Sequence, residues 1–178
     1  MIFEAEHFHI KGLVLLKPKL FGDERGYFFE SYSKKDLISA GIECEFVQDN
    51  QAMSSKGVLR GLHFQKDPFG QSKLVRVTQG KVYDVAVDMR KDSTTFGEYV
   101  AVELSDENHY MLFIPKGFAH GYLVLSDHTL FQYKCDSYYH PHSEAGIKFD
   151  DPKLNIEWPL LELPYHVSNK DLSLPFLD

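Results

Sequence analysis

The segment KLVRVTQGKVYDVAVDMR, residues 73 to 90, alternates apolar and polar side chains with period two on both sides of Gln79-Gly80. Only an extended backbone sends every second side chain to one face, so this stretch reads as strands with a buried side. Gln79-Gly80 is a turn signal, and the segment is expected to be two strands joined by a short hairpin. Similar runs recur as YFFESYS (27–33), YVAVELS (99–105), YMLFIP (110–115), GYLVLS (121–126) and TLFQYKC (129–135). Gly, Pro, Asp and Ser, the residues that turns require, lie between them. One helix is expected in KKDLISAGI (34–42), with Ser33 as N-cap, Asp36 three residues later and Gly41 as stop. The stretch DPKLNIEWPLLELP (151–164) is too rich in proline for regular structure. The fold class is therefore all-β, a barrel or double-sheet jelly roll with short helical additions.

At 178 residues the chain fits one domain spanning residues 1–178, and 43% hydrophobic with 14% aromatic residues is ample for a core. The formal net charge of −7 argues against nucleic acid or an anionic membrane as partner, so an anionic ligand needs a local cluster of cations. The longest apolar runs, GLVLL (12–16) and GYLVL (121–125), fall far short of the ~20 residues that span a bilayer. The acidic start MIFEAEHFH lacks the basic-then-apolar layout of a secretory signal, and export is not expected. Cys44 and Cys135 are distant and form no CxxC, which suggests neither zinc nor a disulfide framework and fits a reducing cytoplasm.

The chemistry concentrates in GVLRGLHFQK, where Arg60 and His63 stand three apart in an apolar segment. A simple strand would put them on opposite faces, so either both faces are used or a bulge at Gly61 re-aims a side chain. Further on, Pro115, Gly117 and His120 form PxGxxH, the second-motif pattern of the cupin superfamily of small β-barrels. The first cupin motif is only partly met. Gly57, His63 and Gly80 fit it, but Gln65 stands where the second His belongs and Lys73 where the Glu belongs. An ammonium in the ligand shell repels a divalent cation, so no metal and no cofactor are expected. What remains is a base, His63, near a fixed positive charge, Lys73, the equipment for removing a proton and holding the resulting anion.

Ten blocks in chain order, among them RGYFFE (25–30), QDN (48–50), VLRGLHFQ (58–65), QSKLVRV (71–77), PKGFAHG (115–121), QYK (132–134), SEAGI (143–147) and SNKD (168–171), resemble the dTDP-4-dehydrorhamnose 3,5-epimerase family over nearly the whole chain. The resemblance implies a homodimeric, metal-free jelly roll of the cupin type acting on dTDP-4-keto-6-deoxy-D-glucose. It implies His63 as catalytic base, Asp171 as its partner, Tyr133 as proton donor and Lys73 beside the ketone. It further implies ligand contacts from Arg25, Glu30, Gln48, Asp49, Asn50, Arg60, His120, Glu144 and Lys170. One departure is Phe149, where the family pattern has Trp.

Taken singly, Asp171 reads as an exposed turn residue, Tyr133 as barrel core, and Arg25, Arg60, Lys73 and Lys170 as solvated surface charges. Tyr138 and Tyr139 offer faces on which thymine could stack or could equally be rim aromatics. Three other readings use the same fold: an epimerase that inverts only carbon 3 or only carbon 5, a non-catalytic carbohydrate-binding cupin, and a metal-dependent oxygenase.

Overall fold

A computed structural model describes residues 2–177. The elements are β1 (Phe3–His7), β2 (Val14–Pro18), β3 (Phe21–Asp23), β4 (Gly26–Phe28), α1 (Lys34–Ser39), β5 (Gln48–Ser54), β6 (Val58–Gln65) and β7 (Lys73–Gln79). They continue as β8 (Lys81–Asp88), β9 (Tyr99–Ser105), β10 (Met111–Ile114), β11 (Phe118–Val124), β12 (Thr129–Cys135), β13 (Glu144–Gly146), β14 (His166–Val167) and α2 (Asn169–Leu172). One sheet runs β1-β2-β10-β7-β12-β5 and the other β13-β6-β11-β8-β9, with β14 beside β6. Strands β5 to β12 thus interleave between the sheets as 5-12-7-10 and 6-11-8-9, a double-sheet jelly roll.

The core between the sheets is built by every second residue. Val75 and Val77 from β7, Leu112 and Ile114 from β10 and Phe131 from β12 meet Val82 and Ala86 from β8 and Tyr122 and Val124 from β11. The outer faces are covered as well. Leu37 of α1 packs with Leu16, Leu74 and Met111 behind one sheet. Ile147 and Leu154 pack with Leu62, Val85, Val87 and Ala119 behind the other. Burial on both faces explains why GYLVL shows no alternation, since all seven residues of β11 are buried.

The strands read from YVAVELS and TLFQYKC match β9 and β12, and α1 has Ser33 as its cap, accepting from the Asp36 N–H at 3.4 Å. Two expectations need correction. Strands β7 and β8 exist but form no hairpin, because they lie in different sheets. Gly80 between them is a corner at φ +79°, and a Cβ there would fall 2.5 Å from Thr129 Oγ1. In YFFESYS only Tyr27 and Phe28, the end of β4, are strand, because β4 pairs with β3 alone and the ribbon has no third neighbour to extend it. Among the described residues no helix is long and apolar enough to cross a membrane.

The irregularity foreseen at Gly61 is present. His63 pairs with His120 and Arg60 with Tyr122, so Gly61 and Leu62 together oppose the single residue Gly121. This bulge turns Leu62 outward to Val85 and Ile147 while Arg60 and His63 both face the space between the sheets. Gly61 has φ +115°, and a Cβ there would lie 2.6 Å from Gly121 Cα and 2.7 Å from the His120 carbonyl oxygen. Gly61→Ala is therefore expected to cost about 3 kcal/mol or more, the sum of left-handed strain and a backbone clash, read as a fall in Tm in thermal unfolding.

Candidate active site

At one end of the sandwich the inward-facing row changes from apolar to polar. Lys73 precedes Val75 on β7, Tyr133 follows Phe131 on β12, and His120 follows Phe118 on β11. With Arg60 and His63 from β6 and Lys170 and Asp171 from α2, these residues line a cavity of about 550 Å³. Gln48, Asn50 and Glu144 line an adjoining space of about 250 Å³ that shares His63, Lys73 and Tyr133.

The position of Asp171 follows from local rules. Strand β14 runs parallel to the start of β6, His166 against Val58 and Val167 against Leu59. Ser168 then caps α2 by accepting from the Asp171 N–H at 3.1 Å. That turn presses the Asp171 carboxylate, 3% exposed, against the bulge. Its Oδ1 accepts from His63 Nε2 at 2.8 Å and its Oδ2 from the Gly61 N–H at 3.3 Å. The Nε2 proton is held by the carboxylate, which leaves the Nδ1 lone pair of His63 to act as a base.

Tyr133 reaches in from the opposite sheet, and burial pushes its phenol up, so it remains protonated and able to donate. The Lys73 ammonium lies 5.8 Å from the Tyr133 ring centre. Burial holds Lys73 below the usual lysine range, against the opposing charges of Cys135, Asp84 and Glu144. His120 Nε2 donates to both oxygens of the fully buried Asp84 at 3.1 and 2.9 Å, and burial keeps this imidazole below the usual histidine range. At the mouth the Arg60 guanidinium is exposed and donates to Ser54 Oγ at 3.2 Å. Glu144 accepts from Lys170 Nζ at 2.6 Å and from Tyr139 Oη at 2.8 Å.

Three expected ligand residues do not reach the cavity within the chain. Asp49 alternates with Gln48 and Asn50 on β5, so it points to the outer face, where it binds Lys134 Nζ at 2.9 Å. Arg25 and Glu30 belong to the exposed β3–β4 ribbon and its exit, and the Arg25 guanidinium is paired with Asp23. Tyr139 lines the smaller space and Tyr138 lines neither. Residues that sequence reasoning missed are Tyr122, which stacks on Phe131 at 4.1 Å, and Asp84. Asp84 had a signal, a carboxylate on the face of β8 shared with Val82 and Ala86.

The model of the dTDP-4-dehydrorhamnose 3,5-epimerase family matches residues 7–178. The chain belongs to this family. It is 52% identical over 172 residues to the dTDP-4-dehydrorhamnose 3,5-epimerase of Salmonella typhimurium, covering 95% of this chain and 92% of that one. The crystal structure of a dTDP-6-deoxy-D-glucose-3,5-epimerase from Legionella pneumophila, in complex with dTDP-4-keto-L-rhamnose, superposes with a TM-score of 0.93 at 49% identity, covering 98% of this chain and 92% of that chain. A 3'-monoepimerase from Streptomyces bikiniensis in complex with dTDP-quinovose has a TM-score of 0.89 at 31% identity, covering 95% and 85%. The epimerase family is an isomerase family, and the jelly roll described above is its fold.

The two acceptor roles of Asp171 separate in a stability measurement. Asp171→Ala is expected to lose about 1–3 kcal/mol, because the buried Gly61 N–H loses its partner, whereas Asp171→Asn keeps an acceptor and stays near wild type in thermal unfolding.

Proposed function

We propose that the chain inverts carbons 3 and 5 of dTDP-4-keto-6-deoxy-D-glucose, giving dTDP-4-keto-L-rhamnose for rhamnose biosynthesis, by proton transfer alone. The observation that carries the mechanism is the pairing of His63 with buried Asp171 on one sheet, across a shared cavity from Tyr133 on the other. A ketone at carbon 4 acidifies the hydrogens on carbons 3 and 5. His63 Nδ1 removes one from its face, and Asp171 stabilises the imidazolium that forms. The electron pair moves onto the ketone oxygen, where the Lys73 ammonium holds the enolate. Tyr133 returns a proton from the opposite face, which inverts the carbon. His63 is then one proton richer and Tyr133 one poorer, so both must exchange with solvent before the second inversion.

Inversion at both carbons is favoured because relatives named for both positions are about 50% identical and the 3'-monoepimerase 31%. Arg60 and Lys170 at the mouth would meet the diphosphate, the arginine in bidentate fashion. Lys73 occupies the place of a carboxylate ligand in the cupin pattern, which supports chemistry by acid and base without a metal.

The remaining ligand residues fit a homodimer. Phe21, Tyr27 and Phe28 of the β3–β4 ribbon are each more than half exposed, an apolar surface carried on the same segment as Arg25 and Glu30. Seated on a second copy, that ribbon would bring Arg25 and Glu30 to the partner's cavity. Co-refolding Arg25→Ala with His63→Ala is expected to restore activity that neither variant has alone, to about a quarter of wild-type sites for random pairing. No recovery would show that Arg25 does not act across subunits.

In D₂O with the keto sugar nucleotide, Tyr133→Phe is expected to keep label uptake at carbons 3 and 5 while epimerised product falls about 10²- to 10⁴-fold, and His63→Ala to abolish both. The ratio of exchange to inversion is read by NMR on one sample over time. Equal loss of both in Tyr133→Phe would remove Tyr133 from the acid role.

A further inference from the structure

The inward face of β8 reads Val82, Asp84, Ala86, and a carboxylate stands where its neighbours serve the apolar core. Asp84 is 0% exposed, and its hydrogen bonds go to a single donor, His120 Nε2. A buried carboxylate with one neutral donor is costly unless a positive charge lies near it. The carboxylates bordering the cavity divide unequally. Glu144 is paired with Lys170, and Asp171 with His63 and the Gly61 N–H. Among the described residues Asp84 has no cation of its own other than what His120 could become. Lys73 is the converse, an ammonium in the same cavity with no carboxylate within ion-pair distance among the described residues.

We propose that Asp84, acting through His120, supplies the buried negative charge against which the Lys73 ammonium is held at the catalytic cavity. Asp84 is then a positioning residue, and the proposal rests on the reading of Lys73 as the group that holds the enolate. Strand β12 presents Tyr133 and Cys135, whose thiol burial pushes up to about 11, and β13 presents Glu144, already paired. Strand β6 presents Arg60 and His63, β11 His120, β8 Asp84 and α2 the paired Lys170 and Asp171, while β10 turns only Leu112 and Ile114 to the interior. The arrangement requires His120 to be neutral with its proton on Nε2, so that the pair keeps one negative charge. Burial, with the nearby charge of Lys73, favours the neutral imidazole against the pull of Asp84, and the contact with Asp84 places its proton on Nε2.

Two measurements test it. The first is ¹⁵N NMR of the histidines in the wild-type, substrate-free protein, in which His120 is expected to be neutral with the proton on Nε2 at pH 7. A doubly protonated His120 would leave the pair without net charge and overturn the proposal, whether or not any variant folds. The second is the pH profile of kcat/KM for Asp84→Asn, which keeps an acceptor for His120 but removes the charge. Without that charge the ammonium is lost at lower pH, so the alkaline limb is expected to move down by about one unit, a loss about tenfold greater than that of wild type on that limb. A variant slowed by the same factor at every pH would show a structural role only and defeat the proposal. Absence of any epimerised product from wild type would sink the functional reading instead, and the His120 spectrum would still decide the charge of the pair.

Discussion

The site depends on the close approach of two backbones. Gly61 on β6 and Gly121 on β11 lie so near that neither position has room for a methyl group, and a Cβ on Gly121 would fall 2.6 Å from the Arg60 carbonyl oxygen. The contact forces two β6 residues against one on β11, and that extra residue brings Arg60 and His63 to the same side of the sheet. It also leaves the Gly61 N–H unused by the ladder and free for Asp171. One steric constraint therefore places Arg60 and His63, the proposed anchor and base, and orients the carboxylate that holds the imidazole.

Polar groups replace apolar ones along the inward row without leaving the jelly roll's alternation. Lys73 keeps step with Val75 and Val77, Tyr133 with Phe131, and Asp84 with Val82 and Ala86. The fold tolerates this because the substituted positions lie together at one end and hydrogen-bond or face one another across the gap. A single such residue at the other end, among Val124 and Leu104, would be an unpaired polar group in the core.

What could be read from the residues followed the strength of the period. Strands with one buried face, such as YVAVELS, were legible, and so was the capped helix after Ser33. Strand β5, QDNQAMS, was not, because an edge strand with polar residues on both faces shows no hydrophobic alternation even though its exposure alternates residue by residue. The partners of strands were harder still: β7 and β8 look like a hairpin locally, yet β7 pairs with β10 and β12 and β8 with β11 and β9, strands made later in the chain. In the site, His63 and Lys73 stood out by chemistry alone. Asp171 did not, since its burial depends on the pairing of β14 with β6, which no local pattern announces, and its significance came from the family resemblance. Asp49 and Arg25 show the opposite limit, because a family motif names residues without telling which face presents them or which neighbours they pair with.

His63 and Asp171 are separated by 108 positions in the chain. During synthesis every jelly-roll strand from β1 to β12 has been made before α2 is reached. The strands of both sheets are thus made while the imidazole still lacks its carboxylate. A chain cut short after β13 would keep Lys73 and Tyr133, yet lose the cavity wall that β14 and α2 supply and carry a histidine with no fixed tautomer. The order of the sequence thus separates the making of the container from the arrival of the carboxylate that holds its imidazole.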